Sequence, residues 1–423
     1  MKKPVIGFCG MTHLGICSAS ASLSKGFKTI CFDTSQKTIT NLKKWKMDIR
    51  EPLINEVLFK HKSLLKFTAK SKDLSVCDII YVSLDIKTDE TGKSDLNQLE
   101  KLLEVVRKNI NKKAITVILS QVPPGFTSKY LEKFNSIYYQ VETLIFGEGF
   151  NRAMYPERFI LGCKNPNEPI EEPLDLFLKS FNCPTLKMNF ESAELCKISI
   201  NLVLISNISI ANKLAEICEN LGASWNEIIP ALRLDKRIGK YSYINAQLGI
   251  SGGNLERDIA STMRILENFN LNTDLMESYI QISNDRKNWV YRVLKENVFV
   301  KLKKPMIGII GLSYKPNTNS IKNAPSIKLL DQLKGENLIA YDPSVDINQI
   351  TKSCKKANSL EEVYLKSDVI IILTHLEELN NIRLKTYGLS SNLKFFLDPL
   401  NVYINEITKS QKFKYFSIGQ SLK

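Results

Sequence analysis

The feature that most constrains the fold is a regular alternation between short β-rich runs and helical stretches. The runs of the first half and of the last third are residues 5–9, 28–33, 78–83 and 115–120, then 306–310, 338–341, 369–373 and 395–397. This alternation predicts parallel, doubly wound sheets with helices on both faces. Because 423 residues exceed what one hydrophobic core usually serves, we predict an α/β protein of more than one domain.

The middle of the chain departs from this alternation. A helical pattern begins at about Glu191 and stops at Gly222, whose position suits a helix C-cap. It is too long for an ordinary crossover, and further helical sequence follows to about Val298. We predict three domains, namely α/β at 1–190, helical at 191–298 and α/β at 299–423. Two similar halves around a helical centre suggest duplication at the level of the fold.

Composition and cysteine usage favour a soluble, cytoplasmic protein. Apolar residues make up 43% of the chain, and no run approaches the roughly 20 apolar residues of a membrane span. The N-terminal apolar stretch is broken by Gly7 and Gly10, which suits a strand and turn better than a signal peptide. The nine cysteines form no C-x-x-C pair, so we expect reduced, buried thiols and no metal or disulfide framework.

The net charge of +14 does not by itself indicate a nucleic-acid partner. The lysines stand singly or in pairs, without an arginine-rich run or interleaved aromatic residues. We interpret them as a solvated surface whose positive field would also concentrate phosphorylated ligands.

A glycine turn follows the first predicted strand. It fits G-x-G-x-x-G with threonine at the second glycine position, and its residues are Gly10, Met11, Thr12, His13, Leu14 and Gly15. In such a turn the first glycine allows a sharp bend, the second lets a pyrophosphate approach, and the third packs the helix. The second strand ends at Asp33, an acid placed to bond the ribose hydroxyls. The sequence therefore predicts a Rossmann-like dinucleotide site.

The identity of these residues bears on which dinucleotide binds. No arginine follows Asp33, which favours NAD over NADP because a carboxylate repels a 2′-phosphate. Thr12 puts a β-branched side chain where the pyrophosphate should approach, so we expect weaker binding or a shifted dinucleotide. The alternative is a turn kept only for folding.

The long helix carries Lys197 and Asn201 in an otherwise apolar stretch that should be buried. Their spacing of i and i+4 places both side chains on one face, and burying them is costly unless each has a partner. We predict that the pair faces a ligand, where it polarises a hydroxyl and stabilises a developing oxyanion. The alternative places both side chains in solvent or in a subunit interface.

A glycine-rich loop, residues 249–253, precedes Asn254 and Asp258. Its small residues let the backbone approach a ligand closely. We expect Asp258 to pair with Lys197 and to keep it charged and oriented. The alternative is an ordinary flexible turn.

Ordered motifs along nearly the whole chain resemble the UDP-glucose/GDP-mannose dehydrogenase family. Residues 193–201 are similar to its A-E-x-x-K-x-x-x-N helix, and residues 311–318 to its highly specific G-L-x-[FY]-K-P-x-T turn. Shorter matching blocks are residues 122–125, 148–149, 156–158, 341–343 and 373–374.

The resemblance implies an N-terminal NAD domain, a helical dimerisation centre and a C-terminal domain for the nucleotide diphosphate of a sugar. It implies that Lys197 and Asn201 position an oxyanion and water, with Asp258 in support. Besides the glycine turn and Asp33, the residues that we expect at the cofactor are Ser120, Glu148 and Lys322. Those that we expect on the substrate are Arg237, Gly249, Ile250, Ser251, Tyr314 and Lys315.

The chain departs from the family at catalytic positions. The nucleophilic cysteine of the family's G-[FY]-G-G-S-C-x-P-K-D loop falls on Asn254, and an amide cannot form a thiohemiacetal. The first glutamate of P-E-F-L-R-E-G, a proposed general base, falls on Leu144. Cys196 is no substitute, because it points about 100° away from Lys197 around the helix. Further departures are Gln121, Leu400 and residues 319–322.

We predict an NAD-dependent oxidoreductase that transfers hydride from a CH–OH group of a nucleotide sugar resembling UDP-glucose. Without the cysteine, it should stop or slow after the first two-electron oxidation. The alternative is a nucleotide-sugar or dinucleotide binding protein without redox activity. The expected partners are the nucleotide sugar and a second copy of the chain bound through the central helix, with no nucleic acid, membrane or metal. The resemblance also suggests a role in polysaccharide precursor synthesis.

Overall fold

The computed structural model describes residues 2–47, 51–87, 89, 93–382, 394–404 and 413–421. Within it the chain packs as two compact units, Met1–Ile200 and Asn201–Lys423. Each unit contains one sheet.

The first unit is built on eight short strands. They are β1 (Ile6–Cys9), β2 (Thr29–Phe32), β3 (Leu65–Thr68), β4 (Ile79–Val82), β5 (Ile115–Ile118), β6 (Ile137–Gln140), β7 (Phe159–Gly162) and β8 (Thr185–Met188). They form one sheet in the order β3-β2-β1-β4-β5-β6-β7-β8. All neighbours are parallel except β6 and β7, which pair antiparallel. The central strands are apolar and fully buried, as expected for a parallel sheet covered on both faces.

Helices connect these strands. They are α1 (His13–Ser24), α2 (Gln36–Lys43), α3 (Ile54–Lys60), α4 (Asn97–Asn109), α5 (Gly149–Met154) and α6 (Glu172–Lys179), with 3-10 turns at Ser71–Val76 and Thr127–Tyr130. Nearly every residue of α1 is buried, and its small side chains, such as Ala19 and Ala21, allow the close packing that this requires.

A 32-residue helix, α7 (Phe190–Leu221), begins in the first unit and continues into the second. It ends before Gly222, whose φ of +79° is the left-handed conformation expected at a helix C-cap. The prediction that this helix is buried is wrong along much of its length, since Leu195 is exposed near its start. From Val203 onwards, exposed apolar side chains form a stripe, which we call the α7 stripe: Val203, Ile210, Leu214, Ile217 and Leu221.

Among the described residues, α7 is also the one helix long and apolar enough to cross a membrane, judged by length and composition. Two of its acidic residues are nevertheless buried and fully hydrogen-bonded within protein. The carboxylate of Glu194 accepts from the backbone N–H groups of Gly125 and Thr127 at 2.6 and 2.8 Å. Glu219 has comparable partners, described below, and such arrangements are typical of a helix packed in a protein core.

The second unit contains helices followed by a parallel sheet. The helices are α8 (Trp225–Leu234), α9 (Asn254–Asn268), α10 (Asp274–Lys287), α11 (Trp289–Val293, extended by a π turn at Leu294–Val298), α12 (Pro325–Gln332) and α13 (Leu360–Lys366). The strands are β9 (Met306–Ile310), β10 (Asn337–Tyr341), β11 (Cys354–Lys356), β12 (Val369–Ile372), β13 (Lys394–Leu397) and β14 (Phe413–Phe416), with 3-10 turns at Ile347–Gln349 and Glu377–Asn381. The strand order is β11-β10-β9-β12-β13-β14.

The predicted fold class is confirmed: two doubly wound parallel-sheet domains and a helical centre with one long helix. All eight predicted β runs are strands. The central helices share one hydrophobic core with the second sheet, in which Ala211 and Trp225 cluster with Val293, Ile307 and Leu397. The further division into domains at 1–190, 191–298 and 299–423 stays a prediction.

A buried ion pair joins three helices of the second unit to its C-terminal segment. The Arg286 guanidinium donates to Glu219 at 2.7 Å, and both side chains are about 2% exposed or less. Glu219 also accepts from the Trp289 indole at 3.2 Å and from the Gly419 backbone at 2.9 Å. Three residues thus donate hydrogen bonds to one buried carboxylate.

We expect Glu219→Gln to destabilise the second unit by about 3–5 kcal/mol, because it leaves the Arg286 charge buried without its counter-ion. Glu216→Gln, which removes a partly exposed carboxylate from the same helix, should cost less than about 1 kcal/mol. Urea unfolding followed by circular dichroism measures both. Equal losses for the two variants would contradict this account.

Candidate cofactor and substrate sites

The glycine turn between β1 and α1 has the shape that the sequence predicts. Gly10 has a φ of +97°, a backbone conformation that residues other than glycine rarely adopt. A Cβ on Gly15 would lie 2.0 Å from the Gly10 carbonyl oxygen, so only glycine permits this approach of helix to turn. Both positions therefore require glycine, as the first and third glycines of a dinucleotide-binding turn do.

Asp33 lies at the end of β2 and fastens this turn. Its Oδ2 accepts from the Met11 backbone N–H at 2.8 Å, and its Oδ1 accepts from Ser35 N at 2.8 Å. The side chain stays half-buried. Its carboxylate is thus held at the edge where the ribose of a dinucleotide binds in folds of this kind.

Thr12 is tied to the segment that follows β4. Its hydroxyl donates to the Ser83 carbonyl at 3.2 Å and accepts from the Asp85 backbone N–H at 2.9 Å. The Asp85 carboxylate in turn lies 3.4 Å from the Leu14 backbone nitrogen, in the first turn of α1. A protein carboxylate therefore stands at the helix N-terminus where a pyrophosphate is expected.

His13 belongs to a second polar contact at α1. Its Nε2 lies 2.6 Å from Glu51, which also accepts from the backbone N–H groups of Gly147 and Gly149 at 2.6 and 3.1 Å. Potential ligand atoms of His13, Cys17 and Glu51 lie within 4.8 Å of one another. Because the Glu51 oxygens are already engaged, hydrogen bonding that holds residues 147–149 against α1 accounts for the group.

Two further predicted cofactor residues lie after neighbouring strands of the same sheet. Ser120 follows β5, is buried, and donates from its hydroxyl to the Val82 carbonyl at 3.3 Å. Glu148 is exposed and precedes α5. Their contact with a cofactor stays a prediction.

Glu142 is a residue of interest that the sequence analysis missed. It follows β6, two residues before Leu144, and stays partly accessible. Burial raises the pKa of its carboxyl from 4.5 to about 7, although the Lys197 ammonium favours the charged form. The signal in the sequence was an acid two residues after a buried strand.

The predicted catalytic residues of the second unit lie together. The Asn201 side-chain amide donates to Asp258 Oδ2 at 2.5 Å, and Arg257 Nε donates to Asp258 Oδ1 at 2.9 Å. Asp258 is fully buried and begins the second turn of α9. The Asn201 amide is therefore oriented by a buried carboxylate, while the pairing of Asp258 with Lys197 stays a prediction.

The glycine loop packs against the turn after β9, and both carry predicted substrate residues. A Cβ on Gly252, which has a φ of +79°, would lie 2.7 Å from the Tyr314 ring. The Ser251 hydroxyl lies 3.5 Å from the Tyr314 carbonyl, and Gly252 N donates to Lys322 O at 3.1 Å. The loop is thus fixed in place by contacts that only small residues permit.

The rest of the loop is anchored on α10. A Cβ on Gly249 would lie 2.4 Å from the Ser283 carbonyl, and the Ser283 hydroxyl accepts from Ile250 N at 2.8 Å. Lys287 pairs with Glu256 at 3.0 Å, and the Asn323 amide bonds both Glu256 and Gly252 O. These contacts argue against the alternative that the loop is an ordinary flexible turn.

The remaining predicted residues lie at the surface of the second unit. Asn254 is exposed at the first position of α9, and the Lys322 side chain runs along Gly253. The Lys315 ammonium lies 5.7 Å from the centroid of the Tyr314 ring. Arg237 is exposed and bonds Asp235 at 2.6 Å, which lowers the pKa of that carboxyl. A role for each on a ligand stays a prediction.

The second sheet repeats the turn of the first. Gly311 after β9 has a φ of +84°, and the Asp342 carboxylate after β10 accepts from Leu312 N and Ser313 N at 2.7 and 3.2 Å. Thr374 after β12 donates to the Ser313 carbonyl at 2.5 Å. Each sheet thus has a glycine turn fastened by an acid from the adjacent strand.

Comparison with protein families assigns the two glycine turns to two domains of one family. Three models of one family match in order: the NAD binding domain at residues 4–172, the central domain at 191–285 and the UDP binding domain at 308–405. The chain belongs to the UDP-glucose/GDP-mannose dehydrogenase family. It is therefore an NAD-dependent nucleotide-sugar dehydrogenase by family, with NAD as the cofactor.

Individual relatives agree with this assignment. The chain is 26% identical to a UDP-glucose 6-dehydrogenase of Rickettsia typhi, over 99% of this chain and 100% of that protein. It is 25% identical to the UDP-glucose 6-dehydrogenase TuaD of Bacillus subtilis, over 99% and 94% respectively.

Solved structures show the same fold. A UDP-glucose dehydrogenase from Pyrobaculum islandicum superposes with a TM-score of 0.83 at 21% identity, covering 99% of this chain and 98% of that one. A UDP-D-ManNAc dehydrogenase from Pyrococcus horikoshii gives 0.80 at 22% identity, covering 98% and 99%.

The N-terminal turn of this family member fits NAD in shape, since Gly10, Gly15 and Asp33 form the expected backbone cradle. One charged group near this turn is unfavourable for NAD binding. The Asp85 carboxylate at the first turn of α1 repels a pyrophosphate and competes for the same N–H group.

We expect Asp85→Asn to tighten NAD binding about three- to fivefold at low salt, because one exposed like charge is removed from the phosphate position. Titration calorimetry with NAD alone measures this. Glu132→Gln, the same charge change at an exposed position before β6, should leave the affinity unchanged. Weaker binding by Asp85→Asn would show that the carboxylate supports the turn more than it opposes the phosphate.

Proposed function

We propose that the protein oxidises a CH–OH group of a UDP-sugar resembling UDP-glucose and releases the product after one two-electron step. The observation that carries this proposal is the combination of a retained Asn201–Asp258 pair with an amide, Asn254, where the family has its nucleophile. NAD, when bound, accepts the hydride. The match of residues 308–405 to a UDP binding domain supports a UDP-linked substrate.

Residues of the long helix and of the glycine loop have separate roles in the proposed oxidation. Lys197 holds a positive charge beside the hydroxyl oxygen of the sugar and stabilises the negative charge that develops there. The Asn201 amide is oriented by Asp258, which holds its N–H groups in place to bind a ligand oxygen. Gly249, Ile250 and Ser251 form a rigid wall for the sugar, because their loop is fixed on Ser283 and Tyr314.

The second oxidation requires a covalent intermediate that Asn254 cannot form. In the family reaction a thiolate adds to the aldehyde, and the resulting thiohemiacetal gives up the second hydride. A carboxamide is not a nucleophile at neutral pH. Oxidation to the acid would then depend on hydration of the free aldehyde, which is slow.

We expect the purified protein to form one NADH for each nucleotide sugar consumed, measured by NADH absorbance against chromatography of the sugar. Asn254→Cys should raise the count towards two if Leu144 does not limit the second step, while Asn254→Ala should leave it at one. Two NADH from the wild-type protein would contradict the role given to Asn254. No NADH with any nucleotide sugar would favour the alternative of a non-redox binding protein.

We also propose that two copies of the chain associate through the α7 stripe and that the protein acts in the cytoplasm. Val203, Ile210 and Ile217 are each more than half exposed, and they recur at the helical spacing of a packing face. Monomeric proteins rarely expose contiguous apolar surface of this kind.

We expect the double variant Val203→Asp, Ile210→Asp to elute as a monomer where the wild-type protein is a dimer, because two charges cannot be buried unpaired in the interface. Light scattering after gel filtration measures the mass. Val300→Asp places a charge on another exposed apolar residue of the same unit and should stay dimeric. A wild-type monomer would contradict the proposal.

A further inference from the structure

The positive charge of the chain is concentrated in one segment. Residues 36–72 contain ten basic and three acidic residues, so they carry +7 of the net +14. This segment includes α2, α3 and β3, and β3 is an edge strand of the first sheet. The charge is therefore not spread evenly over the surface.

Three aromatic rings of this segment pack together. The centroid of the Trp45 ring lies 5.5 Å from that of Phe59 and 6.5 Å from that of Phe67, and both contacts are edge-to-face. Phe67 is half-buried, but Trp45 is 36% exposed and Phe59 is 56% exposed. The cluster thus presents two large apolar side chains to solvent.

The backbone conformation of Trp45 is unusual for such a side chain. It lies just after α2, where Trp45 N donates to the Leu42 carbonyl at 3.0 Å and Lys46 N donates to the Asn41 carbonyl at 2.9 Å. In a helix end closed by these two bonds, the residue at this position is usually glycine because its φ is positive. Trp45 has a φ of +57°. An exposed tryptophan here costs conformational free energy that glycine would avoid, so folding alone does not explain it.

Lysines flank the two exposed rings in sequence. The Lys62 ammonium lies 4.8 Å from the centroid of the Phe59 ring. Within the described part of the chain no carboxylate pairs with these flanking lysines, whereas Lys66 on β3 pairs with Asp73 at 2.9 Å. The flanking lysines, all exposed, are Lys43, Lys44, Lys46, Lys60 and Lys62. Together with Trp45 and Phe59 they form what we call the basic aromatic patch.

The chemistry of this patch favours a negatively charged membrane surface over single-stranded nucleic acid. Single strands bind by stacking their bases on open aromatic faces. The Lys62 ammonium covers one face of Phe59, and the Trp45 ring meets its two neighbours at 69° and 78°, so the rings form no parallel platform. Exposed tryptophan and phenylalanine among lysines suit the boundary of a bilayer. There the rings enter the headgroup region and the ammonium groups stay with anionic headgroups.

We propose that the basic aromatic patch docks the protein on a membrane surface rich in anionic phospholipid. Trp45 and Phe59 insert at the depth of the headgroups, and the five lysines bind the lipid phosphates. The expectation of no membrane partner rested on the lack of an apolar spanning segment, and it does not bear on a surface of this kind. The two rings are 14 residues apart in sequence, so no single stretch of sequence shows the patch.

Tryptophan fluorescence tests the proposal on the whole wild-type protein. The chain has three tryptophans, and Trp225 and Trp289 are 2% exposed or less, so Trp45 is the one that a soluble quencher reaches. Vesicles of phosphatidylcholine and phosphatidylglycerol in equal parts should shift the emission to the blue and protect Trp45 from acrylamide. Vesicles of phosphatidylcholine alone should do neither, and concentrated sodium chloride should release the protein.

Cosedimentation with the same mixed vesicles measures the affinity of variants. Trp45→Gly should weaken binding about tenfold, because it removes the inserted ring. Glycine suits the left-handed backbone at this position, so the helix end should be kept. The double variant Lys44→Gln, Lys46→Gln should weaken binding about fivefold for each charge removed.

Matched controls lie elsewhere in the first unit and should bind as the wild-type protein does. Leu186→Ser removes an exposed apolar side chain from β8, the edge strand at the other end of the same sheet. The double variant Lys112→Gln, Lys113→Gln removes two exposed charges before β5.

Four outcomes would overturn the inference. The first is equal binding to both kinds of vesicle, and the second is wild-type affinity of Trp45→Gly for the mixed vesicles. The third is protection of Trp45 by a single-stranded oligonucleotide without any response to mixed vesicles, which would assign the patch to nucleic acid. The fourth is a lower mass of Trp45→Gly in light scattering without any response of the wild-type protein to mixed vesicles, which would assign the patch to a second copy of the chain.

Discussion

The carboxyl ends of parallel strands meet along one edge of each sheet, and this constraint determines where the polar residues of both glycine turns lie. In the first unit, the turn after β1, Asp33 after β2, Asp85 after β4, Ser120 after β5 and Glu142 after β6 all follow from it. The close approach of Gly15 to the Gly10 carbonyl then fixes α1 against the turn. A side chain at either glycine would displace the helix from which the site is built.

The two sheets satisfy this constraint in the same way. Asp78 before β4 accepts from Val5 N at 2.7 Å, and Asp368 before β12 accepts from Met306 N at 2.8 Å. Asp33 and Asp342 hold the glycine turns at the opposite edges. The duplication suggested by the sequence is therefore visible in individual hydrogen bonds, and one architecture serves both the NAD binding and the UDP binding domain.

The sequence predicted what short-range patterns encode and missed what long-range packing decides. The sequence predicted the strands rich in valine and isoleucine, the glycine turn and the end of α7 at Gly222, because local residue patterns specify these features. The half-exposed β8 and β11 carry lysine and lack a clear pattern. A second copy of the chain was expected at the central helix, but the residues of the α7 stripe were not predicted to be exposed. An apolar helix has the same sequence pattern whether it packs inside its own chain or against another copy. Glu142 was missed because its neighbours Lys197 and Tyr81 are distant in sequence.

Under the proposed function, the chain keeps the binding scaffold of its family and lacks the covalent step of the second oxidation. A buried carboxylate orients Asn201, and a fixed loop presents Asn254 where a thiol would be needed. The mass of the product nucleotide sugar tests this claim most directly. After complete reaction with excess NAD, the account predicts a product two hydrogens lighter than the substrate, which an aldehyde trap captures. A product carrying one additional oxygen and two fewer hydrogens, the acid, would contradict it.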